Sequence, residues 1–190
     1  MFGPIIEGER IRLEPPKIEY ASTYIHWFAD PELTRYMLVR NPPSLRQEED
    51  WLERIAASQA DIVWAIVMRE NGKLIGNTGL HQIDWRHRHA HSGIIIGEPT
   101  QWNKGYGTEA MRLRTKYAFR ELGLEKVLTS VYSGNKGSRR ALEKVGYKQC
   151  GLLRRNRFFH GQWHDEWLGE VLRDEWEANQ VSGVRNQEPE

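Results

Sequence analysis

With a single cysteine, Cys150, this chain of 190 residues cannot form an intrachain disulfide, and one domain of this length buries enough apolar surface to need none. Charge of one sign is also lacking. Twenty-seven Lys and Arg are interspersed with 26 Asp and Glu, for a formal net charge of +1. The counterion release that drives association with duplex nucleic acid therefore has no concentrated cationic source, and no nucleic-acid partner is expected. Long hydrophobic runs are missing too. The longest, Ile62 to Met68, is far too short to cross a bilayer, and Glu7, Glu9, Arg10, Arg12 and Glu14 stand where a secretory signal would need an apolar stretch. The expectation is a cytoplasmic protein with no membrane association, without internal repeats or low-complexity tracts.

What is present reads as helices and strands in mixed order. Residues Glu9 to Leu13 alternate charged and apolar side chains like an edge strand, and Pro15-Pro16 ends them before a helix from Tyr20 to Phe28. Asp30-Pro31-Glu32 enters a second, short helix, with Pro31 suited to its first turn. Ser44-Leu45-Arg46-Gln47 has capping-box spacing, and Trp51, Leu52, Ile55 and Ala56 follow at helical intervals, predicting a helix to about Ser58. Beyond it Asn71-Gly72 separates strands near 62–69 and 73–84, and a polar turn at Arg86–Arg88 leads to a third strand, Ser92 to Gly97. A helix from Gly107 to Leu122 carries apolar residues over a wide face, as packing on a sheet requires. Next come a strand Val127 to Tyr132, a helix Ser138 to Val145 stopped at Gly146, and a hairpin of Tyr147 to Phe159 and Trp163 to Leu172 turned at His160-Gly161. This makes one domain over 1–177, with a tail at 178–190 expected to be disordered.

The most informative segment is Trp102-Asn103-Lys104-Gly105-Tyr106-Gly107-Thr108-Glu109-Ala110. Gly105 and Gly107 follow an apolar strand and open a helix, so several amides can converge without side chains in the way, beside the positive end of a helix dipole. Such a loop holds a phosphate or pyrophosphate. A Walker loop is excluded, because Gly107 is followed by Thr108-Glu109 rather than Lys-Ser or Lys-Thr. Gly105-x-Gly107-x-x-Ala110 matches a dinucleotide fingerprint, but Gly97 to Gly105 is too long for a turn tight against its strand, and Leu128 to Tyr132 ends without the carboxylate that would hold a ribose.

The same nine residues resemble the acyl-CoA pyrophosphate loop of the GNAT acetyltransferases, and of their branches the RimJ/RimL type is the closest. The resemblance runs over residues 8–176: Arg10-Ile11-Arg12-Leu13, Trp27-Phe28-Ala29-Asp30-Pro31-Glu32, Ile75-Gly76, the strand Gly93 to Gly97, Asn135-Lys136-Gly137-Ser138, Glu143-Lys144-Val145-Gly146-Tyr147, Asp165 and Asp174-Glu175-Trp176. Trp102 and Asn103 depart from the Gln or Arg and small residue common in the superfamily. Asn103 tolerates left-handed backbone better than most residues. The resemblance implies a mixed α/β fold, a splayed and largely antiparallel sheet of six to seven strands with helices on both faces. It also implies N-acetyl transfer from acetyl-CoA, releasing CoA, to a primary amine. The cofactor would be held by Ile94, Ile95 and Ile96 of the splayed strand, by Trp102, Asn103, Lys104, Gly105, Tyr106, Gly107 and Thr108 of the loop, and by Asn135 and Ser138.

Attack of an amine on a thioester needs a base, an oxyanion donor and an acid for the leaving thiolate. The backbone amide of Ile95 is the expected donor. The family's frequent tyrosine, seven residues past the asparagine, falls on Leu142, and Ser138 is the substitute acid, with helix N-capping as its competing role. The RimL-type glutamate position falls on Arg157, which cannot accept a proton. His91, His81 or water remain as bases, His91 foremost. His87-Arg88-His89-Ala90-His91 could aim three imidazoles at a metal, but no Asp, Glu or Cys follows at ligand spacing and a polar turn is the favoured reading. Most of the eight tryptophans are assigned to packing, with Trp85 the one candidate for the acceptor site. The missing tyrosine and glutamate leave a non-catalytic acyl-CoA-binding regulator as the alternative function. The acceptor, a protein N-terminus or a small-molecule amine, is not chosen by the sequence. A homodimer through the strand Arg154 to Phe159 stays open beside a monomer.

Overall fold

A computed structural model describes residues 1–37, 39 and 41–185. Eight strands form one sheet in the order β1-β2-β3-β4-β5-β6-β8-β7. The strands are β1 (Ile6–Glu7), β2 (Ile11–Glu14), β3 (Ile62–Met68), β4 (Leu74–Asp84), β5 (His89–Ile96), β6 (Lys126–Tyr132), β7 (Lys148–Phe159) and β8 (Gln162–Leu172). The helices are α1 (Ala21–Ala29), α2 (Pro31–Thr34), α3 (Leu45–Ala57), α4 (Tyr106–Arg120), α5 (Lys136–Val145) and α6 (Arg173–Arg185). The mixed, largely antiparallel architecture is the expected one, with one strand more than expected: the two-residue β1, too short to leave an alternating pattern.

Why β3 reads as a continuous apolar run becomes clear in the layers. Every residue from Ile62 to Met68 is buried, because both faces of the strand are covered. On one face Ile62, Trp64 and Ile66 join Ala110, Met111, Ala118 and Phe119 of α4. On the other lies a second cluster of Ala21, Tyr24 and Trp27 from α1 with Leu52 from α3. Ser44 caps α3 with the reciprocal Gln47 bond that its spacing predicts.

Two boundaries differ from the sequence reading by three residues or more. β5 begins at His89, not Ser92, since Ala90 is fully buried between two histidines and the alternation continues through a segment that looks polar. The chain from 178 to 185, expected to be structureless, continues as helix α6. Among its described side chains Trp176 is the buried one, 4% exposed and 5.5 Å from the Phe119 ring, and Glu175 pairs with Lys148 at 2.7 Å. Residues 186–190 of the expected tail lie outside the described residues.

Among the named strands the parallel pairing of β5 with β6 sets up the site. β5 and β6 pair only from His89–His91 to Lys126–Leu128 and then diverge. At the crotch Ser92 Oγ donates to Leu128 O at 3.1 Å and Thr129 Oγ1 donates to Ser92 O at 3.2 Å. Two hydroxyls thus take up backbone acceptors where the ladder stops, and beyond them the sheet is an open fork.

Candidate active site

The fork holds a cleft of about 700 Å³, lined by β5, the loop before α4, the end of β6 and the first turns of α5. At its mouth the loop is shaped by two left-handed residues, Asn103 at φ 60° and Gly105 at φ 88°. Glycine at 105 avoids the strain any Cβ would carry there. The first described bond within α4 runs from Glu109 N to Gly105 O at 3.0 Å, and no side chain caps the helix. The amides of Tyr106, Gly107 and Thr108 precede that bond and are available to an anion. An acid in this first turn would repel a pyrophosphate, but Glu109 is turned away. It accepts from Arg10 N at 2.8 Å, Ile11 N at 3.2 Å and Arg10 Nε at 3.0 Å, while Arg10 Nη1 donates to Lys104 O at 2.8 Å. Arg10 thereby neutralises the glutamate and staples the loop to β2.

Of the expected cofactor residues, Ile94, Ile95, Ile96, Trp102, Asn103, Gly105, Tyr106, Gly107, Thr108, Asn135 and Ser138 all line the cleft. Lys104 does not. Its ammonium is 3.3 Å from Gln101 Oε1, and its carbonyl accepts from Arg10. The cations that do line the cleft are Arg35, Arg114, Arg140 and Lys144, of which Lys144 alone falls in a motif of the resemblance. Trp102 Nε1 donates to Ile96 O at 2.7 Å and so fastens the loop to the end of β5.

The register corrects the oxyanion donor. Gly97 N donates to Ile75 O at 2.8 Å, and Ile95 lies opposite Asn77 in the same register. Antiparallel pairs alternate, so Ile95 spends its amide on β4, while Ile94 and Ile96 direct theirs into the fork. The open donor is Ile94. The strand was identifiable from sequence but its parity was not, because parity depends on the partner's register.

Across the cleft, Asn135 Oδ1 accepts from Ser138 N at 3.2 Å and is the N-cap of α5. The competing role for Ser138 is thus filled by Asn135, and among the described residues the Ser138 hydroxyl makes no hydrogen bond within the protein. Tyr36, just after α2, donates its hydroxyl to Gly134 O at 3.1 Å, bridging the cleft's mouth.

His91 does not line the cleft. It sits opposite His81 and beside Leu128, in the last paired rung before the fork opens, so its ring lies on the sheet surface short of the opening. Burial and the neighbouring His89 hold its pKa below the ordinary value. His81, on the same face, has Nδ1 3.2 Å from Asp61 Oδ1. Arg157, at the position where a base was lacking, pairs at 3.2 Å with Glu166 of β8, a buried carboxylate that sequence reasoning missed because it comes from the neighbouring strand. His87 is drawn to Asp84 at 2.9 Å, a contact that brings the Asp84 carboxyl down to about 2. Among the described residues no three His, Cys, Asp or Glu converge as a metal site. Trp85 lies outside the cleft with Nε1 on Gln59 O at 3.0 Å, and Trp64 is core, bonded to Pro4 O at 2.9 Å.

Comparison with known proteins agrees with this geometry. Residues 10–148 match the model of the acetyltransferase (GNAT) domain. The chain belongs to the GNAT acetyltransferases. An uncharacterized N-acetyltransferase of Bacillus subtilis, YoaA, is 31% identical over 165 residues, 85% of this chain and 93% of its own. YdaF of the same organism, named a putative ribosomal N-acetyltransferase, is 34% identical over 108 residues, 57% of this chain and 58% of its own. Among solved structures, spermidine N-acetyltransferase from Vibrio cholerae in complex with CoA and spermine superposes with a TM-score of 0.82 at 20% identity, over 89% of this chain and 99% of the other.

This GNAT enzyme is therefore an acetyl-CoA-dependent N-acetyltransferase that moves an acetyl group to an amine. Its own residues fit the co-substrate: uncapped amides at α4 for the pyrophosphate, unpaired amides of β5 for the pantetheine, and Arg140 and Lys144 for the remaining phosphate charge. Among the described residues no helix is long and apolar enough to cross a membrane.

Proposed function

We propose that the enzyme acetylates a primary amine by direct attack in a ternary complex, with the acetyl thioester lying in the fork beside Ile94 and Ser138. The amine nitrogen attacks the thioester carbon and the carbonyl oxygen gathers charge against the Ile94 amide. The carbon–sulfur bond then breaks, and the departing thiolate takes the Ser138 hydroxyl proton, which water restores. The observation that carries this reading is the pairing of a free Ser138 hydroxyl with an open amide on opposite walls of one cleft.

A cytoplasmic RimJ/RimL-type role, with a protein N-terminus or a small-molecule amine as acceptor, is supported by the motifs from Arg10 to Trp176 and by YdaF's name. A homodimer through the edge strand β7 is compatible with its exposed Leu152, Leu153 and Phe158. The test is initial-rate kinetics with acetyl-CoA against a panel of spermidine, glucosamine and a tetrapeptide with a free N-terminus. Intersecting patterns with one member support the reading. Parallel lines, the sign of an acetyl-enzyme, would overturn direct attack.

A further inference from the structure

We propose that Asp61 and His81 form the base of this reaction, His81 Nε2 taking the proton of the attacking amine while Asp61 fixes the imidazole from behind. This inference rests on the transfer reaction above and assigns the base it leaves open.

The geometry begins with two glycines. A Cβ at Gly79 would stand 2.7 Å from His81 Nε2, and one at Gly93 would stand 3.7 Å from the same atom. The imidazole therefore lies flat over a pair of directly opposed glycines, and only glycine at 79 leaves it that room. Gly93 lines the cleft, and the next residue, Ile94, presents the open amide. His81 itself is not among the residues lining the cleft, but its Nε2 lies against Gly93, which is, on the face away from α4, while the other ring nitrogen is occupied. Nδ1 meets Asp61 Oδ1 at 3.2 Å, and Asp61 is itself held by Ser58 Oγ at 2.7 Å and by Gln82 N at 3.3 Å. An aspartate so fixed keeps the Nδ1–H tautomer and leaves Nε2 as the acceptor. The side chain of His81 keeps 35% of its surface exposed, enough for proton exchange with water.

The charges around His81 suit a base. Burial lowers its pKa below the ordinary value. Asp61 opposes that shift, while Arg114 of α4 and His91 of β5 act in the same direction as burial. Arg114 is 1% exposed and lies on the opposite side of β5, with Nη1 on Gly93 O at 2.7 Å. Asp61 is held as a carboxylate: burial alone would raise its pKa, but hydrogen bonds from Ser58, Gln82 and His81 bring it below normal. His81 is then neutral at pH 7 and can accept a proton. As the carbon–nitrogen bond forms, the N–H electron pair stays on nitrogen, the proton moves to Nε2, and it later leaves to water. His81 is the catalytic residue here; Asp61 and Arg114 position and tune it.

The test is the pH dependence of kcat/KM for the parent and for His81→Gln, Asp61→Asn and Arg114→Met, with the panel amine turned over fastest and with the acetyl-CoA thermal shift as a check on folding. The parent should show an ascending limb below the ordinary histidine pKa of about 6.5, separate from the limb at higher pH set by the amine itself. His81→Gln should bind acetyl-CoA unchanged, lose the lower limb and lose roughly 100-fold in kcat, as expected for a general base. Asp61→Asn should move that limb to lower pH, and Arg114→Met to higher pH. A His81→Gln enzyme that keeps the limb and most of its kcat overturns the assignment while leaving acetyl transfer standing. So does a limb that stays in place in both Asp61→Asn and Arg114→Met. A parent protein that binds acetyl-CoA yet acetylates no amine overturns the transfer reaction and this base with it.

Discussion

The wall of the cleft formed by residues 94–108 is built largely from backbone, whereas the face carrying His81, His91, Tyr132 and Glu166 is built from side chains of four strands. The first wall meets what every acyl-CoA shares, a pyrophosphate and an extended pantetheine, and amides suffice for both. In the proposed reaction the second faces the amine, and its groups are side chains rather than the backbone ladder. A site divided this way can keep its cofactor while its acceptor changes.

The comparison breaks most sharply at the loop. Gly107→Asp has room for its Cβ, 3.6 Å from Ile96 Cγ1, so the fold should stand. A carboxylate among the α4 amides should nonetheless weaken acetyl-CoA binding roughly 100-fold, read as a sharply reduced thermal shift and a raised KM. Next is Ser138→Ala. Asn135 already caps α5, so stability should be unchanged while kcat falls about tenfold or more. Asn135→Ala should do the reverse for stability, costing about 1 kcal/mol in a denaturation experiment. Arg10→Ala is smaller: it frees the Glu109 charge beside the pyrophosphate site, and the KM for acetyl-CoA should rise about fivefold with kcat kept, more at low salt than at high. Smallest is Tyr36→Phe, which removes one bond across the mouth, worth about 1 kcal/mol, and should raise a KM by a few-fold.

How much of this was legible beforehand follows the same division. The loop, the strand before it, and Asn135 with Ser138 are contiguous motifs shaped by local backbone, and the structure brings them to one cleft. The hairpin at His160-Gly161 was legible because both residues adopt positive φ, 49° and 73°, as a tight turn requires. The sequence points to the Ile95 amide, whereas the register turns that of Ile94 into the fork, because a one-residue parity is set by β4, distant in sequence. Asp61 comes from the turn before β3, Glu166 from β8 and Arg114 from the middle of α4, and no spacing along the chain ties any of them to the cleft. His91 drew notice for lying next to the motif strand, yet the parallel rung with Leu128 leaves it short of the opening. Helix α6 extends past the expected boundary, and among its described side chains only Trp176 is buried, too little for an apolar periodicity to show.

The central claim, that the fork between β5 and β6 with the loop at 102–108 is an acetyl-CoA site, is tested most directly by thermal unfolding with acetyl-CoA, CoA or NAD at equal concentration. At a hundredfold excess over Kd, binding to the native state adds about 2.7 kcal/mol, which for a chain of this size is a rise of roughly 5–10 °C. The account predicts that rise with both CoA ligands in the parent, none with NAD, and for Gly107→Asp, with Kd raised roughly 100-fold, only about 0.4 kcal/mol, a rise of roughly 1 °C. No shift with either CoA ligand, or a larger one with NAD, would contradict it.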